Sequence, residues 1–505
     1  MRPHPASLRQ HATRHRLSTT RLTFHGLGAV TPLTIIIGAV PLGFGQLHQI
    51  ATPAGYLLAA AILGIFATGL STVAAHLPHA GALHSYVAAG LGAPAAGAAA
   101  IIALIAYSTI LVGLFGAFGP AADRALRPAA TDHAWWALWA VLAWAMIAVL
   151  TQLKARTNML LLTILVTAEI SYVLALNVVL LAHPADGYPL EAINPAPLLS
   201  PTGMGSLMGA ITGLIGFEVP LAFALIAVHR TTTVRRAIRT ILATTGLLYA
   251  STGLIMTITA GPGRIIALAQ QHPTDLYFVL AAPHVPAWVI QLGVWLFATS
   301  LFAAMLAFAT TIGRYTLTLA RDGKLPPWLA ITRHDEVPVT AGITQSALTL
   351  LALAVCVTAG ADPAKDLFFY GTTAGGLGVL TCMTLAAVAV VAHLHRHPHG
   401  EKWRRRRLAP ITATFLLIVI TALSTLYFGD LVRTTDPVKT WAPALVYLAA
   451  GVSGALWIRR QQQQPSVEHL PTLPGAEAVP APRPAAGITA GSAHPQPGRQ
   501  GRQQP

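Results

Sequence analysis

Charge is scarce in this sequence. Only 10% of its 505 residues are Asp, Glu, Lys or Arg, against 54% that are hydrophobic, where a soluble domain carries roughly 25% charge. That shortage excludes an ordinary soluble fold. Cysteine is scarcer still. Cys356 and Cys382 are the only two, both lie in apolar runs, and they read as small core residues rather than a disulfide. The sequence has no Walker P-loop, no zinc-type Cys/His spacing and no Gly-x-Ser-x-Gly elbow. ATP-driven work by this chain alone and the common hydrolase and metalloenzyme chemistries are thereby excluded, so no enzyme, cofactor or metal site is expected. A cleavable signal peptide is lacking as well, because the first apolar run follows a polar, basic stretch without a clean small-residue cleavage site.

What is present is a succession of apolar runs, with a mean hydropathy of +0.60. A helix needs about 20 apolar residues to cross a bilayer. On that measure the sequence predicts an all-α integral membrane protein with twelve spans, near 27–47, 54–75, 95–119, 134–151, 157–182, 205–228, 237–260, 286–309, 339–359, 367–392, 409–428 and 440–458. Residues 1–22 read as a basic tail. Residues 461–505 are rich in Gln, Pro and Gly without apolar period and read as a disordered tail.

The net charge of +15 invites a nucleic-acid reading, but the placement of the charge argues against it. With the N-terminus inside, 26 of the 32 Lys and Arg residues fall on inner segments and 6 on outer loops. That asymmetry predicts both termini in the cytoplasm. The run Arg404 to Arg407, with His393, His395, His397 and His399 beside it, sits on one inner loop. It reads as a solvated basic loop facing anionic lipid headgroups, with a histidine metal site as the rarer alternative.

Two spans carry interruptions. Gly216-Phe217-Glu218-Val219-Pro220-Leu221 places a carboxylate, a glycine and a proline at membrane depth in the sixth span. A charge there is costly and marks a functional site by default, and the proline removes a backbone donor. The first span contains Thr31-Pro32 and then Gly38-Ala39-Val40-Pro41-Leu42-Gly43. The two Val-Pro-Leu triplets lie five spans apart, so the second copy is inverted in the membrane. Matched interruptions in two halves point to an inverted-repeat transporter with its site at the breaks. The alternative is that both prolines are kinks in packed helices.

With these stretches, Gly81-Ala82-Leu83-His84-Ser85-Tyr86-Val87 and Gly90-Leu91-Gly92, then Arg314-Tyr315, Ala320-Arg321-Asp322-Gly323-Lys324-Leu325-Pro326 and Val337-Pro338, the chain resembles the bacterial amino acid permeases of the amino acid–polyamine–organocation superfamily. The likeness covers about residues 23–460. It implies a ten-helix core of two inverted repeats, about 27–182 and 205–392, in the fold of the leucine transporter, plus two peripheral helices at about 409–458. It also implies a substrate carboxylate held near Val40 to Gly43 and its amine near Ile215 to Glu218. Unpaired donors at a half-helix N-terminus suit a carboxylate, and free carbonyls suit an ammonium. The implied activity is secondary active transport of an amino acid or related amine, coupled to H+ or Na+ as a symporter. The alternatives are an exchanger or a non-transporting sensor of the same fold. Nucleic acid is not an expected partner, and membrane lipids are.

The candidate site residues are therefore Gly38, Ala39, Val40, Pro41, Leu42, Gly43, Ile215, Gly216, Phe217 and Glu218. Glu218 either holds the amine or carries a proton, or it is a structural acceptor tying the break to a neighbouring helix. Tyr107 is added from the resemblance, with Trp295 as a second possible pocket wall. Glu169, the ionisable residue deep in the fifth span, is a proton relay or a helix-to-helix bond. Thr299 and Ser300 offer hydroxyl oxygens for a coupling cation, or they simply bond their own helix. His76, His79 and His84 read as part of a polar inner loop, with pH sensing as the sharper alternative.

Overall fold

In a computed structural model, residues 17–77, 82–127, 135–153, 155–333, 337–398 and 402–463 are described. Most of both expected tails, and His79, Lys154 and His399, lie outside them. Helix dominates because backbone polar groups at membrane depth must bond within their own segment. Among the described residues there is no strand, only isolated bridges pairing Leu17 with Ala227 and Arg333 with Val337.

Ten helices among the described residues are long and apolar enough to cross a membrane. In chain order the spans are α1 (Thr19–Gly45), α2 (Thr52–Ala74), α3 (Ala93–Leu126), α4 (Trp136–Leu150) and α5 (Ala155–Leu181). They continue with α6 (Pro201–Gly213, followed by a 3-10 segment Val219–Ile226), α7 (Arg230–Ala260) and α8 (Ala287–Arg321). The last are α9 (Val339–Thr358), α10 (Pro363–Arg396), α11 (Arg404–Leu426) and α12 (Pro437–Gln463). α4, of 15 residues, and the divided α6 fall outside the ten. All twelve expected spans therefore have a helical counterpart in an all-helical membrane transporter fold.

The boundaries differ where polar residues continue a helix beyond its apolar stretch. α1 starts at Thr19, inside the expected basic tail, because Ser18 caps it by accepting the Arg21 amide at 3.4 Å and Leu22 is fully buried. α8 runs on to Arg321, well past the expected end near 309. A short helix, Leu83–Leu91, lies between α2 and α3 where only a loop was expected.

α1 lies deepest. Of its most apolar stretch 83% is buried, against 28% for α9, α11 and α12, which turn large side chains such as Leu351, Phe415 and Leu445 outward. Small residues let the inner helices approach closely. A methyl group on Gly375 of α10 would come 2.7 Å from the Ala106 carbonyl oxygen of α3. Tyr172 of α5 donates to the Val289 carbonyl of α8 at 3.0 Å. Asn177 of α5 donates to Thr252 of α7 at 2.8 Å.

Positive φ occurs inside two spans only among the described residues, at Thr31 of α1 and Gly216 of α6. These breaks, five spans apart, suit the inverted-repeat plan. The N-terminal edge of α1 and the end of the 3-10 segment are joined directly, since the Val228 amide donates to the Leu17 carbonyl at 3.0 Å.

Candidate functional site

α1 breaks at Thr31. Its backbone takes φ 52°, ψ 71°, the left-handed conformation, and its amide closes the preceding turn on the Leu27 carbonyl. Pro32 starts the next helical piece, where a missing N–H costs nothing. A π-helical turn then runs over Ile35–Ala39 and an α-helical one over Val40–Gly45. The expected interruption at Gly38–Gly43 is thus a widened but continuous helix. The Val40 amide, expected to face a substrate carboxylate, already donates to the Ile35 carbonyl. The freed groups lie at the Thr31 break instead, where the Val30 carbonyl accepts the Tyr249 hydroxyl at 3.2 Å.

α6 ends at Gly213 and passes through a run of turns before the 3-10 segment begins at Val219. Gly216 has φ +115°, and a methyl group on it would lie 2.9 Å from the Ala29 carbonyl carbon, so the break in α6 presses on the last turn before the break in α1. Glu218 is buried. One carboxylate oxygen accepts the Gly216 amide at 2.9 Å and the other accepts the Tyr107 hydroxyl of α3 at 2.9 Å. The side chain therefore staples its own turn and ties it to a neighbouring helix.

The two breaks face a common cavity of about 160 Å³, several times the ~30 Å³ share of one water. From the α1 side, Gly38, Ala39, Leu42 and Gly43 line it, and from the α6 side Thr212, Gly213 and Ile215. Val40, Pro41, Gly216, Phe217, Glu218 and Tyr107 are buried behind the wall rather than lining it. Trp295 is 42% exposed on the outer surface of α8 and takes no part in the cavity. The rest of the lining is aromatic and hydroxylated, from Tyr56, Phe308, Phe368, Phe369, Thr372 and Thr373. Sequence reading missed these residues. The available signal was the Gly371-Thr372-Thr373 run following three aromatics, where α10 opens with a π-helical stretch, Pro363–Gly371. Among the described lining residues there is no Asp, Glu, Lys or Arg.

Thr34 lines the cavity and leads away from it. Its hydroxyl donates to Ser300 Oγ at 3.4 Å, and the Ser300 hydroxyl donates to Glu169 at 2.7 Å. α1, α8 and α5 thus meet at one buried point. The other Glu169 oxygen makes no close hydrogen bond, although the Leu33 backbone also lies against the carboxylate. Thr299 stands apart and donates to the Leu296 carbonyl of its own helix at 3.0 Å. Of the expected hydroxyl pair, only Ser300 joins Glu169.

His84 was grouped with a solvated loop, yet its ring is fully buried. Nδ1 lies 3.1 Å from the Tyr315 hydroxyl and Nε2 lies 3.4 Å from the Asp322 carboxylate. Burial pushes the His84 ring below its ordinary histidine value, and the His84 hydrogen bond, with Lys324 at 3.1 Å, holds the Asp322 carboxyl below its own. The pair is therefore a neutral imidazole beside a carboxylate. His393, expected on the basic loop, lies instead in the last turn of α10, where it is buried and its Nδ1 donates to the Ala89 carbonyl at 3.3 Å.

A central cavity between two broken membrane helices, walled by hydroxyls and aromatics, is the architecture of a solute carrier. A sequence profile described as amino acid permease matches residues 17–453. No curated protein matches the chain. The chain therefore belongs to the amino acid permease family of the amino acid–polyamine–organocation superfamily and is a membrane amino acid transporter rather than an enzyme.

Proposed function

We propose that this permease is a proton-coupled symporter of a neutral, zwitterionic amino acid with a small or apolar side chain, working by alternating access in the plasma membrane with both termini cytoplasmic. The observation that carries the reading is the shared cavity. It is bounded by both helix breaks, offers hydroxyls and backbone to a zwitterion, and has no ionised side chain among its described lining residues. A ligand of net charge would enter such a site unpaired, at high cost. A zwitterion brings both of its charges and can meet them with main-chain groups at the break and with the Thr372 and Thr373 hydroxyls.

Two carboxylates stand near the cavity: Glu169 is linked through Ser300 to the lining residue Thr34, and Glu218, bonded to Tyr107, follows the lining residue Ile215 within the same turn. In this reading Glu218 takes and releases the coupled proton as the site opens to either side, and Glu169 senses occupancy through Thr34. A second reading is supported by the two hydrogen bonds of Glu218, which satisfy a purely structural carboxylate and suit an exchanger without a coupled ion.

Purified protein in proteoliposomes, offered a mixture of radiolabelled common amino acids, separates the two. The symporter accumulates label under an inward proton gradient, and Glu218→Gln abolishes the accumulation. Label that moves only in counterflow, equally in both proteins, supports the exchanger and sinks the symport reading.

A further inference from the structure

A column of hydrogen-bonding groups runs from Glu218 toward the end of the bundle where α8 finishes. Glu218 accepts from Tyr107 at 2.9 Å. The Tyr107 ring meets the Tyr315 ring edge to face, with centroids 6.4 Å apart. Tyr315 bonds His84 Nδ1 at 3.1 Å, and His84 Nε2 bonds Asp322 at 3.4 Å. Tyr107, Tyr315 and His84 are all buried, while the Asp322 side chain is 43% exposed. The column therefore begins at a sealed carboxylate and ends at solvent. On the positive-inside reading its open end is cytoplasmic. A packing role alone would be served by apolar side chains. A buried imidazole with a hydrogen-bond partner on each nitrogen, joining a buried phenol to an exposed carboxylate, is the arrangement of a proton shuttle.

We propose that Tyr107, Tyr315, His84 and Asp322 form the path by which the Glu218 proton reaches the cytoplasm. The proposal rests on the proton-coupled reading of Glu218 given above. In release, the Tyr107 hydroxyl first turns from Glu218 toward Tyr315, the Glu218 carboxyl gives its proton to the Tyr107 oxygen, and the Tyr107 hydroxyl proton passes on to the Tyr315 oxygen. The Tyr315 hydroxyl proton passes to His84 Nδ1, and the His84 Nε2 proton passes to the Asp322 carboxylate, which loses it to water. Each relay group ends with as many protons as it began with, and one proton leaves. His84 changes tautomer in the process and resets by ring rotation when the inner end opens, which limits the path to one proton per cycle. The step between the two phenols is the one without a direct hydrogen bond among the described residues, and in the proposed path water carries the proton across it. The charged and titratable groups facing His84 are Tyr315, Asp322 and, through Asp322, Lys324.

The test uses full-length protein in proteoliposomes loaded with a pH-reporting dye and given the radiolabelled amino acid mixture. His84→Gln, Tyr315→Phe and Asp322→Asn are compared with the parent and with Glu218→Gln. Loss of a proton-transfer group costs on the order of a hundredfold. Gradient-driven uptake and dye-reported proton entry are both expected to fall by about that factor in His84→Gln, while counterflow of label continues. Equal loss of driven uptake and counterflow means a structural role and overturns the path, as does undiminished proton entry. Proton-driven uptake surviving in Glu218→Gln instead sinks the reading on which the path rests, whatever the His84 variant does. Loss in Glu218→Gln without loss in His84→Gln or Asp322→Asn sinks the path alone.

Discussion

The Tyr107 hydroxyl and the Glu218 carboxylate lie 2.9 Å apart, joining α3 to the broken turn of α6 at a point fully closed from solvent. Tyr107→Phe removes that donor and leaves one carboxylate oxygen with no partner. A buried polar group so stranded costs about 1–3 kcal/mol. The expected outcome is a lower melting temperature in detergent together with reduced uptake. Glu218→Gln is expected to fold nearly as well as the parent, since the amide oxygen still accepts from the Gly216 N–H while its NH2 donates to the Tyr107 oxygen once that hydroxyl rotates, and to lose driven uptake. Matched melting and transport assays on the two variants separate the staple from the proton carrier.

Two glycines of α6 predict opposite behaviour. At Gly216 the backbone is left-handed and an added methyl meets the Ala29 main chain, so Gly216→Ala is expected to destabilise by about 1–3 kcal/mol. Gly209 lines the cavity and an added methyl has no neighbour within 4 Å. Gly209→Ala is therefore expected to melt with the parent, and Gly209→Val to shift uptake toward smaller amino acids. Competition by unlabelled amino acids of increasing side-chain size reads the shift.

Ser300 donates to Glu169 and accepts from Thr34. Ser300→Ala removes the hydroxyl that Glu169 accepts, at about 1–3 kcal/mol, and cuts the connection to the cavity. Uptake measured across external pH, with and without sodium, is expected to fall in the variant while keeping its pH dependence, because Glu218 still carries the proton. A parent whose uptake instead follows sodium would place a cation at Glu169 and Ser300.

The cavity chemistry predicts a ligand ranking. At a hundredfold excess over Kd a ligand that binds only the folded state adds about 2.7 kcal/mol of stability. Neutral amino acids with small or apolar side chains are expected to raise the melting temperature, while polyamines and dibasic amino acids are not. Stabilisation by a polyamine alone would contradict the uncharged lining.

Acid is expected to loosen the His84–Asp322 pair in two stages. The folded His84 value is depressed below its unfolded value of about 6.5. Its contribution is thus complete above pH ~6.5 and is lost as the pH falls toward the folded value. Asp322 is likewise depressed. Its contribution is complete above about pH 4 and is lost as the pH falls through the lowered value. Melting temperature scanned against pH is expected to decline below about 6.5, with the first stage absent in His84→Gln.

The sequence made the twelve helical segments legible because each apolar run approximates one bilayer thickness, and it made the two interrupted spans legible through Gly, Pro and a buried carboxylate. It offered two interruptions in α1, at Thr31-Pro32 and at Gly38 to Gly43, without deciding which one unwinds the chain. Gly38 to Gly43 holds the more conspicuous Gly and Pro, yet the chain unwinds at Thr31, a residue with no intrinsic preference for positive φ. The cause is tertiary. Gly216 presses against Ala29 from the side and Tyr249 captures the Val30 carbonyl, and neither contact is written in the local sequence. His84 was misread for a similar reason, because its partners Tyr315 and Asp322 stand 231 and 238 residues away. Thr299 and Ser300 are neighbours in sequence, but helical geometry sends their side chains in different directions.

The hydrogen bond from Val228 to Leu17 has a mechanical consequence. It clasps the starting end of α1 to the finishing end of the 3-10 segment, on one face of the membrane. In the alternating-access reading proposed for this permease, these pieces would act as one lever with two hinges, at Thr31 and at Gly216, because each is set off from its other half by a break. A pull on either piece would then reach both hinges together, so that one end of the cavity would unlatch while the far halves of α1 and α6 keep their grip on its contents.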